Sequence, residues 1–101
     1  MKYVFYDTEG HGYLRVPFYE LVDLGIHDEI SKFSYLSNIK FGIDETSQAY
    51  LEEDVDLGLF LKAKNLENLD DLDYKIKDVD IDYFEDDFFS RADYQNLERR
   101  Y

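Results

Sequence analysis

The sequence has no cysteine, which excludes disulfides, thiolate metal sites and a thiol nucleophile. It has no tryptophan and a single proline, Pro17. No apolar run approaches the ~20 residues that a membrane-spanning helix needs. Basic residues are scarce, 11 Lys and Arg against 24 Asp and Glu, for a net charge of −13. Phosphate binding needs Lys and Arg, so nucleic acid is disfavoured as a direct partner, as are anionic membrane surfaces. Basic proteins and cations remain as partners. The start, MKYVFYDTEGHG, has early acids and only a short apolar patch, the wrong pattern for a secretory signal, so a cytoplasmic location is expected.

Aromatics are plentiful, with ten Tyr and eight Phe. Disordered chains are poor in aromatics, so a folded core is expected. At 101 residues the chain suits one compact domain. KYVFY (2–6) reads as a strand, DTEGHG (7–12) as a turn and YLRV (13–16) as the return strand. Leu14 and Val16 then share one face, and Tyr13 and Arg15 the other. Pro17 suits the first turn of a helix through Leu24, and Gly25 suits its C-terminal cap. HDEISKF (27–33) reads as one more helical turn. FSYL (33–36) and SQAYLEE (47–53) read as strands. Asp54 suits the N-cap of a second helix through VDLGLFLKAKNL, where Val55, Leu59, Ala63 and Leu66 form one stripe. Gly58 weakens that helix.

ENLDDLD (67–73) reads as an acidic link and YKIKDVDIDYF (74–84) as a strand. Tyr74 and Ile76 share one parity and Val79, Ile81 and Tyr83 the other, so a bulge near Lys77–Asp78 is expected. SRADYQNLERRY reads as a short helix or an arm. The expected fold is α+β: a single domain with an antiparallel sheet of four or five strands packed against two helices. Its expected core is Val4, Leu14, Val16, Leu21, Val22, Ile30, Leu51, Val55, Leu59, Phe60, Ala63, Ile76, Val79 and Ile81.

The charge is concentrated. Residues 52–87 hold fourteen acids and four bases, so ten of the thirteen net negative charges fall in 36 residues. Within DVDIDYFEDDFF (78–89), an extended backbone puts Asp78, Asp80 and Asp82 on one face and Val79, Ile81 and Tyr83 on the other. The carboxylates would stand ~6.5–7 Å apart, from a rise of ~3.3 Å per residue, a spacing comparable to that of phosphates along a nucleic-acid strand. The plainer reading is a solvated strand face. DVDID also resembles the start of an EF-hand loop, but that loop needs Gly and Glu where Tyr83 and Phe89 stand.

Asp7, Glu9, His11 and the carboxylates of YLEEDVD are of the types that bind divalent cations. The plainer reading is a polar hairpin turn and a helix start. His27 has no nucleophile motif near it. No nucleophile elbow, phosphate loop or zinc signature occurs, so no catalysis, metal or cofactor is expected.

The run GHGYLRVPFYELVDLGIHDEISKFSY, followed by AYLEEDVDLGLFLKA, resembles a family of small proteins encoded by phages and mobile elements. The pattern falls on Gly10, His11, Gly12, Tyr13, Leu14, Val16, Leu21, Gly25, Ile26, Ile30, Ser31, Phe33, Ser34 and Tyr35. It resumes at Tyr50, Leu51, Glu52, Glu53, Asp54, Phe60 and Leu61. It covers roughly residues 1–64. The stretch near 38–47 and the chain after residue 66 depart from it. The resemblance thus divides the domain into a family-like part (1–66) and an acidic extension (67–101).

The resemblance implies a phage or prophage setting in a bacterial host cell. Combined with the acidic clustering, it points to a non-enzymatic inhibitor of a host nucleic-acid-processing defence system, anti-CRISPR or anti-restriction. Such an inhibitor would bind a basic nucleic-acid-binding protein, a CRISPR effector or a restriction enzyme, stoichiometrically. The candidate contact residues are Glu52, Glu53, Asp54, Asp56, Asp70, Asp71, Asp73, Asp78, Asp80, Asp82, Tyr83, Glu85, Asp86 and Asp87. The alternative is a phage adaptor that binds a basic partner through tyrosines such as Tyr83, Tyr94 and Tyr101. A metal-dependent enzyme is the weaker third reading.

Overall fold

Tyr3, Val4, Phe5 and Tyr6 are all buried. A strand with no alternation of burial has both faces covered, and this fixes the architecture. The computed structural model describes residues 3–31, 33–39, 42–84 and 88–89. Its strands are β1 (Tyr3–Thr8), β2 (His11–Pro17), β3 (Tyr35–Ser37), β4 (Gln48–Glu52), β5 (Tyr74–Asp78) and β6 (Phe88–Phe89). Its helices are α1 (Phe18–Asp23) and α2 (Asp56–Ala63), with 3₁₀ turns at Leu69–Asp71 and Ile81–Tyr83. The strands form one sheet in the order β5-β1-β2-β4-β3-β6. The fold is α+β, as expected from the sequence.

The sheet is mixed rather than wholly antiparallel, because β5 runs parallel to β1, with Tyr3 opposite Tyr74 and Asp7 opposite Asp78. The other pairings are antiparallel. The hairpin is tighter than the sequence suggested: Thr8 pairs with His11 and leaves only Glu9 and Gly10 in the turn. Gly10 has φ 89°, a conformation open to glycine without a Cβ clash.

One face of the sheet carries the main core. Tyr3, Phe5, Leu14, Val16, Leu36, Ala49 and Leu51 meet Phe18, Leu21, Leu57, Phe60 and Leu61 from the helices. Both helices close with the same device. In α1 the Gly25 N–H donates to Val22 O (3.0 Å) and the Ile26 N–H to Leu21 O (3.0 Å). In α2 the Asn65 N–H donates to Lys62 O (3.0 Å) and the Leu66 N–H to Leu61 O (2.8 Å). Gly25 (φ 73°) and Asn65 (φ 60°) are left-handed, as a Schellman cap requires. Glu20 joins the layers, accepting from the Tyr3 hydroxyl (2.7 Å) and from Lys64 Nζ (2.9 Å).

The other face carries a second cluster: Val4, Tyr6, Tyr13 and Tyr50, closed by Phe84. The chain leaves β5 at Asp78 and makes a 3₁₀ turn. It lays Tyr83 against Tyr6 (centroids 5.3 Å) and Phe84 flat on Tyr35 (4.8 Å, 2° between planes). It then pairs Phe88 and Phe89 with Ser37 and Leu36 on the opposite sheet edge. Residues 79–84, with the short strand Phe88–Phe89, thus form a strap across the second face. A strand with a bulge through residue 84 was the expectation; the observed strand stops at Asp78 because the aromatics beyond it find a tyrosine bed to cover.

Four further expectations are corrected. Pro17 ends β2, one residue before α1. Ile76 is 60% exposed, because β5 is an edge strand. Val55 is 46% exposed, because α2 begins at Asp56 and Val55 precedes its buried stripe. Val22, Leu59, Ala63 and Val79 pack at the margins of the two clusters. HDEISKF forms turns in place of a helical turn across its described residues. The Ile81 side chain and the proposed C-terminal helix or arm lie outside the described residues. Among the described residues no helix is long and apolar enough to cross a membrane.

Candidate functional site

The carboxylates gather at the end of the sheet where the β1–β2 hairpin turns. Asp78 is opposite Asp7, Asp7 is opposite Gly12, and Gly12 O accepts the Glu53 N–H at 2.9 Å. This makes one rung across four neighbouring chain segments, with Asp78, Asp7 and Glu53 all exposed. Neighbouring strands lie ~4.8 Å apart, so Asp78 and Asp7 are about one spacing apart and Glu53 about two spacings further along. Gly12, which is buried, interrupts the row, and the Phe5 ring fills the space beside it. A Cβ there would stand 3.1 Å from the Glu53 carboxyl carbon and 2.2 Å from Phe5 Cζ. Glu9, Asp54 and Asp80, also exposed, follow β1, β4 and β5 at this same end. The acid row therefore runs across strands, where the sequence reading had it along one strand. Asp80 leads into a 3₁₀ turn whose Tyr83 N–H donates to Asp80 O (3.0 Å), and Asp82 lies in that turn, so the even spacing ends at Asp78.

The other candidates divide. Asp70, Asp71 and Asp73 precede β5, so they lie at the far end of a strand of ~16 Å. Asp71 Oδ2 accepts the Glu67 and Asn68 N–H groups (both 3.2 Å), which makes it a local cap. Tyr83 is half-buried against Tyr6. Glu85, Asp86, Asp87, Tyr94 and Tyr101 lie outside the described residues.

Two candidates are structural. Asp56 is 1% exposed. Its carboxylate accepts the Ser31 N–H (3.1 and 3.0 Å), the Ser31 hydroxyl (2.8 Å) and the Ser34 hydroxyl, so it cannot face a partner. Glu52 is 6% exposed, and its Oε1 accepts the Asp54 N–H (2.8 Å) and the Val55 N–H (3.1 Å). It is Glu52 that caps the turn into α2, in the role the sequence reading gave to Asp54. The side chain at Val55, the observed N-cap position, makes no capping bond.

Two grooves flank the strap. One, of about 470 Å³, is lined by Asp78, Val79, Asp80, Asp82 and Tyr83. The other, of about 420 Å³, is lined by His11, Tyr13, Phe33, Tyr35, Glu52, Asp54 and Val55. Sequence reasoning missed this second groove as a site, although His11, Tyr13, Phe33 and Tyr35 all belong to the quoted family-like pattern. Tyr13 and Tyr35 form its wall, with ring centroids 5.5 Å apart. Burial pushes the Tyr13 phenol above its ordinary pKa, and Tyr35, Glu52 and Glu53 beside it add to the shift. Among the described residues no group of three His, Asp or Glu side chains converges to hold a metal ion, so Asp7, Glu9 and His11 do not assemble a site with the YLEEDVD acids.

No protein-family model, curated protein or solved structure matches the chain.

Proposed function

We propose that the chain is a non-enzymatic binding protein that occupies the basic, nucleic-acid-binding surface of a partner, as a phage inhibitor of a CRISPR effector or restriction enzyme would. The observation that carries this reading is the exposed rung Asp78–Asp7–Glu53, flanked by Glu9, Asp54 and Asp80. Like charges this close repel one another, and carboxylates opposite one another across strands destabilise a sheet. The fold keeps them on a hydrogen-bonded scaffold, so they reach a partner at fixed spacing without an ordering cost on binding. A row of Lys and Arg evolved for phosphates would meet them with fast, salt-sensitive association.

The test is capture of proteins from a bacterial lysate carrying CRISPR and restriction systems, then titration calorimetry of the captured partner at two salt concentrations. The expected partner is a basic nucleic-acid enzyme whose activity falls at one-to-one stoichiometry. A variant with Asp7, Glu53, Asp78 and Asp80 changed to Asn or Gln should bind at least tenfold more weakly, with a shallower salt slope. Undiminished affinity and an unchanged slope would reject the reading. Of the tyrosines on which the adaptor reading rests, Tyr83 is half-buried against Tyr6, and Tyr94 and Tyr101 lie outside the described residues.

A further inference from the structure

We propose that the groove between Tyr35, Phe33 and Glu52 is a socket for an arginine side chain of the partner. Three observations converge. The wall is aromatic: Tyr13 and Tyr35 stand 5.5 Å apart at 59°, and Phe33, 54% exposed, stands beside them. A guanidinium stacks on such faces. The floor is anionic: Glu52 is 6% exposed, yet only its Oε1 is engaged, by the Asp54 and Val55 amides. No described group donates to Oε2, so this second carboxylate oxygen keeps its capacity to accept. Asp54, exposed at the mouth, adds a second charge of the same sign.

Arginine fits better than lysine. A guanidinium is planar and weakly hydrated, so it loses less on entering a half-closed aromatic site than a compact ammonium does. The socket sits at the same sheet end as the acid rung, since Glu52 directly precedes Glu53 and pairs with Tyr13. It deepens the reading of the chain as a binder of basic proteins and rests on it, and it adds a point of anchoring that a row of exposed charges lacks.

The test uses the isotope-labelled full chain and three capped tripeptides, Ala-Arg-Ala, Ala-Lys-Ala and Ala-citrulline-Ala, followed by amide chemical shifts. The arginine peptide should give saturable shifts at Phe33, Tyr35, Asp54 and Val55, with the lysine and citrulline peptides at least tenfold weaker. Glu52→Gln keeps an oxygen for the two amides but removes the charge, and should weaken arginine binding at least tenfold. Phe33→Ala, at an exposed position, should do the same and serves if Glu52→Gln does not fold. Equal binding of arginine and citrulline, or shifts centred on residues 78–82, would overturn the socket. Probe binding at the groove with no basic protein captured would overturn the proposed function and leave the socket standing. Capture lost in the rung variant but unchanged in Glu52→Gln and Phe33→Ala would overturn the socket as a partner contact and leave the rung.

Discussion

The hydroxyl of Ser34 donates to the carboxylate of Asp56, while the same oxygen accepts the Glu52 N–H at 2.9 Å. One buried hydroxyl thus ties the end of β4 and the segment before β3 to the first turn of α2. The carboxylate also lies at the N-terminal end of α2, where negative charge is favoured. Asp56→Ala should cost about 3 kcal/mol, since it leaves the buried Ser34 hydroxyl and the half-buried Ser31 hydroxyl and amide without their charged acceptor. Ser34→Ala should cost about 1–2 kcal/mol for the same reason. A double-mutant cycle by urea denaturation should show coupling of at least about 0.5 kcal/mol; additive losses would mean the two do not act through one bond.

The exposed rung should behave in the opposite way. Asp7→Asn, Glu53→Gln and Asp78→Asn should each change stability by no more than about 0.5 kcal/mol, with a slight gain from relieved repulsion. That gain should shrink at high salt, because screening weakens exposed charges. Thermal unfolding at two ionic strengths measures both effects. A large loss in any of the three would give that residue a structural role.

Phe84 closes the second cluster through ring contacts to Tyr13 (4.6 Å), Tyr35 (4.8 Å) and Tyr50 (5.3 Å). Phe84→Ala should cost about 3 kcal/mol and release the strap. Near-ultraviolet circular dichroism of the tyrosines should weaken, and amides 79–83 should exchange faster while those of β2 stay protected. Unchanged exchange at 79–83 would mean the strap is held elsewhere.

Two glycines separate space from backbone freedom. In Gly12→Ala the new Cβ would meet the Phe5 ring at 2.2 Å, and the expected loss is about 1–3 kcal/mol. In Gly58→Ala the Cβ meets nothing within 4 Å on α2, and the expected gain is about 0.5–1 kcal/mol from helix propensity. Chemical denaturation of both variants checks the opposite signs.

Alkaline pH should unfold the protein through its buried phenols. Burial pushes Tyr6 from 10.0 up to about 12, although the neighbouring Arg15 guanidinium pulls it down. Burial, then the hydrogen bond to Glu20, raises Tyr3 as well. Above pH 10 the unfolded chain loses phenol protons that the folded state still holds, so stability present below pH 10 declines as pH rises towards 12. Denaturation midpoints between pH 8 and pH 12 should fall along that window, and Tyr6→Phe should flatten the fall. An unchanged slope in Tyr6→Phe would mean that Tyr6 titrates alike in both states.

The hairpin, both helices and the α+β class are legible because local signals carry them: the glycine in the turn, the apolar spacing of α2, the cap at Gly25. The buried face of α2, however, is Leu57, Phe60 and Leu61 rather than the expected stripe of Val55, Leu59, Ala63 and Leu66. The parallel pairing of β5 is not, since nothing local in YKIKD states which strand it joins or in which direction. The strap was misread because strand-like alternation in 78–83 looks the same whether the apolar residues cover a sheet or extend it. A usable signal was present in YVFY, where four consecutive buried residues demand cover on both faces. The acid row was legible as composition, and Asp78 was correctly exposed. Its direction was not, because Asp7, Gly12 and Glu53 are brought beside Asp78 by pairing alone. Asp56 looked like one more surface acid, since its partners Ser31 and Ser34 are 25 and 22 residues away.

The parallel pairing of β1 with β5 also joins segments about 70 residues apart in the chain. Tyr3 is opposite Tyr74, so the outer edge of the β1–β2 hairpin is bare until residues 74–78 have been made. Such long-range closure slows folding relative to local contacts, and a bare apolar edge invites pairing with other chains. Lys75 and Lys77, on the strand that finally covers that edge, are both exposed, with Lys77 Nζ over the Tyr6 and Tyr83 rings (5.7 and 5.8 Å), and lysines on an edge strand guard the finished sheet against the association that its nascent form permits.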